Sequence, residues 1–167
     1  MSTHESFIVV GVDHSRAAVD ALAFALDEGV AHGCAVEVVT AWLWSSPYEG
    51  MDEVGTIEEG NQAAAAVQDS ALGEALAGRP DGPVVSQTVV HQDAGQALVE
   101  RSEGARMLVV GSARKGAVSR AVLGSVSEYC VRHAPAPVVV VAGSEQPRHR
   151  RRDQVQAAVG NTSRALC

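Results

Sequence analysis

The sequence offers little with which to crosslink itself or hold a metal. Cys34, Cys130 and Cys167 are odd in number and far apart, with no CxxC or Cys/His ligand spacing, so neither a disulfide framework nor a zinc site is supported. The six histidines are equally scattered. No uninterrupted apolar run reaches membrane-spanning length, and MSTHESFIVVGVD passes almost directly into a β-rich run without a basic leader or a long apolar stretch. The expectation is a cytoplasmic chain with no membrane partner.

Several catalytic spellings are also missing. Gly111 to Gly116 has the first spacing of a Walker A loop, but Ala117-Val118 stands where Lys and Ser/Thr are required, which removes the phosphate lysine and the Mg²⁺ hydroxyl. No GxGxxG or SGGxDS follows the first strand, no GxSxG elbow occurs, and no general base can be identified. A dedicated enzyme is therefore not expected, and at most a weak hydrolytic activity is held open.

Basic residues are absent over a long span. From Ala17 to Gly78 there are eleven acids and no Lys or Arg, within a chain of net charge -7. From Arg101 to Arg132 six basic residues face only Glu103 and Glu128. Ahead of the tail, the one cluster of positive charge thus lies around this stretch, as expected if local potential helps recruit a polyanionic small molecule, the alternative being solvated surface charge. Beyond Val141 lies a basic tail with RHRRR at Arg148 to Arg152. The acidic body disfavours a nucleic-acid surface.

The 167 residues, 46% of them hydrophobic, suffice for one packed core. We divide the chain into a domain over residues 1–143 and a basic tail over 144–167. Strands are expected at Phe7 to Val12, Ala35 to Trp44, Val84 to Val90, Met107 to Val110 and Pro137 to Val141. Between the first two, Ser15 is the expected N-cap of a helix with Ala18, Leu22, Ala25, Leu26 and Val30 on its stripe and Gly33 as its stop. Thr56 with Glu59 has capping-box spacing ahead of a helix from Ile57 to Ala77, and Asp93 with Gln96 repeats the signal ahead of a shorter one. Ser45 to Gly55 reads as a loop, with Trp42 and Trp44 as packing or crevice wall. Regular β-α alternation with continuously apolar strands predicts an α/β fold of three layers, a parallel sheet with helices on both faces. Ligands of such sheets sit beyond the carboxyl ends of the strands where the strand order reverses.

The stretch GSARKGAVSRAVLGS, Gly111 to Ser125, joins an apolar strand to a helix with Val126, Tyr129, Cys130 and His133 expected on one face. A helix N-terminus has free N–H groups and partial positive charge, so phosphate suits it, and Arg114, Lys115 and Arg120 add mobile charge. The alternative is a connection whose glycines only permit tight turns. Ser125 is read as an N-cap, and Asp13 as either a ligand residue or a turn residue.

Together VVGVDHS, VVTAW, MLVVGSARKG, LGSVSEYCVRHA and APVVVV resemble the universal stress protein family over residues 5 to 143. The resemblance implies a five-stranded parallel sheet of order 3-2-1-4-5, ATP in the switch-point crevice with Mg or Mn as a possible companion, and a homodimer through the last strand, Val138, Val139, Val140 and Val141. It places Gly11, Val12 and Asp13 at the nucleoside, Ala41 by the adenine, Val110 and Gly111 under the ribose and α-phosphate, and Gly124, Ser125 and Val126 at the phosphates. Arg114 stands where the family motif G-x2-G-x9-G-S/T has its second glycine; with Lys115 it either pairs with phosphate or obstructs the backbone's approach. A regulator using ATP as a ligand is the expected function, and a nucleotide-free dimeric interaction module is the alternative.

Overall fold

A computed structural model of the protein describes residues 6–43, 56–79, 81–112 and 123–144. Its elements run β1 (Phe7–Gly11), α1 (Arg16–His32), β2 (Ala35–Trp42), α2 (Ile57–Leu76), β3 (Val85–His91), α3 (Ala94–Arg101), β4 (Met107–Ser112), α4 (Ser125–His133) and β5 (Val138–Ala142). The strands form one parallel sheet in the order β3-β2-β1-β4-β5, as the family resemblance implied. Trp44, the loop from Ser45 to Gly55, and Arg114, Lys115 and Arg120 lie outside the described residues, as does the tail beyond Ser144.

Strand periodicity separates the two cores. Ile8 and Val10 point to one face, where register sets them beside Val36 and Val38 of β2, and they pack with Ala18, Leu22 and Leu26 of α1 and Ala71 and Ala75 of α2. Val9, between them in sequence, points the other way and joins Val39, Leu108 and Val110 under Leu98 of α3 and Cys130 of α4. The result is the three-layer α/β/α arrangement, with α1 and α2 over one face and α3 and α4 over the other. Each fully buried Leu, Ile or Val stabilises the fold by roughly 1.5–3 kcal/mol relative to exposure. Charge would be excluded from such strands, and the one acid that intrudes, Glu37, accepts from Thr88 Oγ1 at 2.9 Å and pairs with Arg101 Nη1 at 2.6 Å.

The helix ends follow the local chemistry. Ser15 Oγ accepts from the Ala18 N–H, and Gly33 closes α1 with φ 62°, a left-handed turn that glycine adopts without strain. Thr56 and Glu59 form the full capping box of α2. Asp93 accepts from the Gln96 N–H at 3.0 Å. Two expectations for helix faces are corrected. Val30 is 56% exposed because the buried position on that turn is Gly29, under Pro83 and Val36. On α4 the buried residues are Ser127 and Cys130, whereas Val126 and His133 are exposed. Strand bounds also move by a residue or two: β1 ends at Gly11, although Val12 still donates its N–H to Val39 at 2.9 Å.

Candidate functional site

The strand order reverses between β1 and β4, which pair directly, and their carboxyl ends open a crevice. It is a cavity of about 100 Å³ whose walls include Gly11, Val12, Asp13, Ala41, Val110, Gly111 and Val126. Seven of the eleven residues proposed from sequence therefore meet at one place. Gly124 and Ser125 begin α4 immediately before Val126. Arg114 and Lys115 lie outside the described residues.

Sequence reasoning missed Ser15, Ala18, Val39, Ala94 and Leu98, which also face the cavity. Ser15 is the N-cap of α1 and Ala18 lies in its first turn, and Ala94 and Leu98 come from α3 across the sheet. Ala94, Ala18 and Val39 carry no chemical signature that would single them out from core residues. Leu98 had a readable trace only in its partner: a side chain on Gly11 would put Cβ 2.7 Å from Leu98 Cδ1, so the glycine at the end of β1 makes room for α3.

Asp13 is exposed at the rim, and its Oδ1 accepts from the Ser15 N–H at 2.9 Å. That bond fixes the turn into α1 and orients the carboxylate, so the turn role and a ligand role are compatible. Thr40 is buried and donates its hydroxyl to the Val12 carbonyl at 2.9 Å, which ties the ends of β1 and β2 together below Ala41. Trp42 reaches toward α2, donating Nε1–H to Asn61 Oδ1 at 2.9 Å and lying tilted against His91 with ring centroids 4.4 Å apart. It acts as packing, as its sequence reading allowed.

The two motif glycines that are described do different things. Neither needs a left-handed backbone, since the described glycines with positive φ are Gly33, Gly78 and Gly104. A Cβ on Gly111 would sit 2.5 Å from the Ala17 carbonyl oxygen and 2.9 Å from the Ala18 nitrogen. Gly111 therefore lets the first turn of α1 lie against β4. Gly124 has φ -68°, and among the described residues a Cβ there would meet only Ser127 Oγ, at 3.7 Å. Neither its own φ nor packing against the described residues calls for glycine at 124.

Gly124, rather than Ser125, is the N-cap of α4, and it supplies no side-chain cap. The N-caps of α1, α2 and α3 each accept a helix N–H through a side-chain oxygen. At α4 the first-turn donors are left for something else, at the end of the helix that carries partial positive charge. Glu128 in that turn and Arg132 form an i,i+4 pair at 2.6 Å on the exposed side. The arrangement can bind an anion through backbone N–H groups beside an apolar slot closed by Val39, Ala41 and Leu98.

The family model for the universal stress protein family matches residues 7–142. A universal stress protein from Mycolicibacterium smegmatis is 32% identical over 155 residues, covering 89% of this chain and 52% of the relative. The chain spans about half the length of the curated relatives it matches. Among solved structures, a universal stress protein in complex with cAMP is 24% identical with a TM-score of 0.61, covering 84% of this chain and 98% of the other. Another, from Archaeoglobus fulgidus in complex with dAMP, is 22% identical with a TM-score of 0.55, covering 81% and 97%.

Proposed function

The chain belongs to the universal stress protein family, and on that premise we propose that it is a dimeric regulator that binds ATP in the β1/β4 crevice as a ligand and not as a dedicated substrate. The observation that carries this reading is Gly124, a glycine that neither its own φ nor packing against the described residues requires, placed as the cap of the one described helix without a side-chain cap. A glycine there leaves the backbone N–H groups open to close approach. The family members solved with cAMP and dAMP support an adenine nucleotide as the ligand class.

Within this reading, Ser125 and Val126 would present their N–H groups to the phosphates, and Arg114 and Lys115 would add charge from the connecting loop. Asp13, beside Gly11 and Val12, would meet the ribose or the base edge, Ala41 would lie by the adenine, and Val110 and Gly111 would form the floor. Bound there, ATP supplies a polyanion and a flat apolar base, the two features that this slot separates. Among the described residues no three His, Cys, Asp or Glu gather into a metal site. Mg²⁺ or Mn²⁺ would accordingly enter as a companion of the nucleotide's own phosphates.

β5 is an edge strand, and its Val138 to Val141 are half-buried. Unpaired backbone groups at such an edge invite a second strand, so we assign the homodimer to antiparallel β5–β5 pairing across a two-fold axis. Among the described residues no helix is long and apolar enough to cross a membrane; we place the protein in the cytoplasm.

Mass spectrometry of small molecules released from the purified, denatured protein, followed by calorimetric titration with ATP, tests the assignment. Released adenine nucleotide and saturable binding are expected. A protein that carries no nucleotide and gives no heat with ATP would overturn it, and phosphate release at a steady rate would make it a hydrolase.

A further inference from the structure

Ser127 is a buried polar residue that the binding motif leaves unexplained. It is 2% exposed on the side of α4 that also buries Cys130. Its hydroxyl donates to the Gly124 carbonyl at 3.0 Å, and the same carbonyl accepts the Glu128 N–H at 2.9 Å. The direction of the first bond matters. The cap residues of α1, α2 and α3 use a side-chain oxygen to accept a first-turn N–H, which removes that donor from the surface. Ser127 sits in the first turn of α4 and donates backward to the cap carbonyl, so it anchors the cap without using any N–H.

We propose that Ser127 is a positioning residue for phosphate: it holds the Gly124 peptide in its extended geometry, φ -68° and ψ 163°, so that the N–H groups of Ser125 and Val126 stay aimed into the crevice. This inference rests on the nucleotide reading above. The physical basis is preorganisation. A glycine cap has the widest conformational freedom of any residue, and it has no side chain of its own to add to the Glu128 N–H bond on its carbonyl. A second hydrogen bond to its carbonyl, part-buried and made by a hydroxyl on the buried side of the helix, restricts it further. The ligand then meets donors that need little ordering on binding.

A merely structural role, the ordinary back-bonding of a helical serine to the carbonyl three residues earlier, predicts something different. It would change stability and leave the discrimination between ligands alone. The deciding readout is therefore the ratio of the Kd for adenosine to the Kd for ATP, measured by calorimetry on the full chain. In Ser127→Ala, ATP binding should weaken on the order of three- to tenfold, the range set by one lost hydrogen bond, with adenosine binding unchanged. Ser127→Thr keeps a hydroxyl on the same carbon and should restore the wild-type ratio. If Ser127→Ala binds ATP as tightly as wild type, or loses adenosine and ATP equally, the positioning role is overturned and the nucleotide reading stands. Absence of ATP binding in the wild type overturns both.

Discussion

Gly111 and Gly124 belong to one sequence motif, yet the geometry predicts that substituting them produces opposite failures. At Gly124 a new Cβ would meet, among the described residues, only Ser127 Oγ at 3.7 Å, and φ -68° with ψ 163° suits any residue. Gly124→Val should therefore fold. Valine is a poorer cap than glycine, which we put at about 1 kcal/mol, or roughly 2–4 °C in Tm for a chain of this size. On the cradle reading, the branched side chain would crowd the approach of phosphate to the Ser125 and Val126 donors. Losing one charge-assisted hydrogen bond removes about 1.5–3 kcal/mol, on the order of ten- to a hundredfold in affinity; loss of two takes binding below detection. At Gly111 the same reasoning runs the other way. A Cβ 2.5 Å from the Ala17 carbonyl oxygen meets backbone and not a flexible side chain, so Gly111→Ala must push α1 off β4. Overpacking of this kind costs about 1–3 kcal/mol, a fall in Tm of several degrees. Thermal melts of both apo variants beside calorimetric titrations with ATP separate the cases. A Gly124→Val protein that binds ATP like wild type would refute the backbone cradle. A Gly111→Ala protein that melts like wild type would refute the packing argument.

Further expectations concern charge, assembly and pH. Arg114→Gly should weaken ATP binding about ten- to a hundredfold if the guanidinium pairs with phosphate; tighter binding would show that the arginine obstructs the cradle. Val139→Lys should shift the homodimer toward monomer by placing charge in an apolar edge contact, and sedimentation of a wild-type monomer at micromolar concentration would reject β5 pairing. Burial pushes the Cys130 thiol from 9.0 up to about 11, with the nearby Asp93 charge adding to the effect. The folded state thus keeps that proton to higher pH than the unfolded chain, so stability is full below pH 9 and falls as the pH rises toward 11. Cys130→Ala should flatten that alkaline decline in Tm, and an identical slope in the variant would rule out the thiol as its source.

Much of the fold was legible because its signals are local. Continuous apolar runs mark strands buried on both faces, Ser15, Thr56 and Asp93 announce helix starts, and Gly33 announces a stop; each acts within four residues and survives without knowledge of the rest of the chain. The same locality explains the two misplaced faces. Val30 and Val126 fit a helical stripe by spacing, but which side of a helix meets the sheet depends on the neighbours that arrive from elsewhere, Pro83 over Gly29 in one case and the crevice itself beside Val126 in the other.

What residue identity determined by itself was the candidate list: Asp13 after an apolar strand, and glycines at 111 and 124 flanking a basic loop. Only the tertiary structure could decide what those glycines are for. Their spelling is the same, but Gly111 lies under a helix that begins almost a hundred residues earlier, whereas Gly124 caps a helix end where, among the described residues, a new Cβ would meet Ser127 Oγ alone. The walls supplied by Ala18, Val39, Ala94 and Leu98 were equally invisible, since small and aliphatic side chains signal only burial. The crossovers that bring α1, β2 and α3 to the same end of the sheet turn those ordinary core residues into the lining of a site.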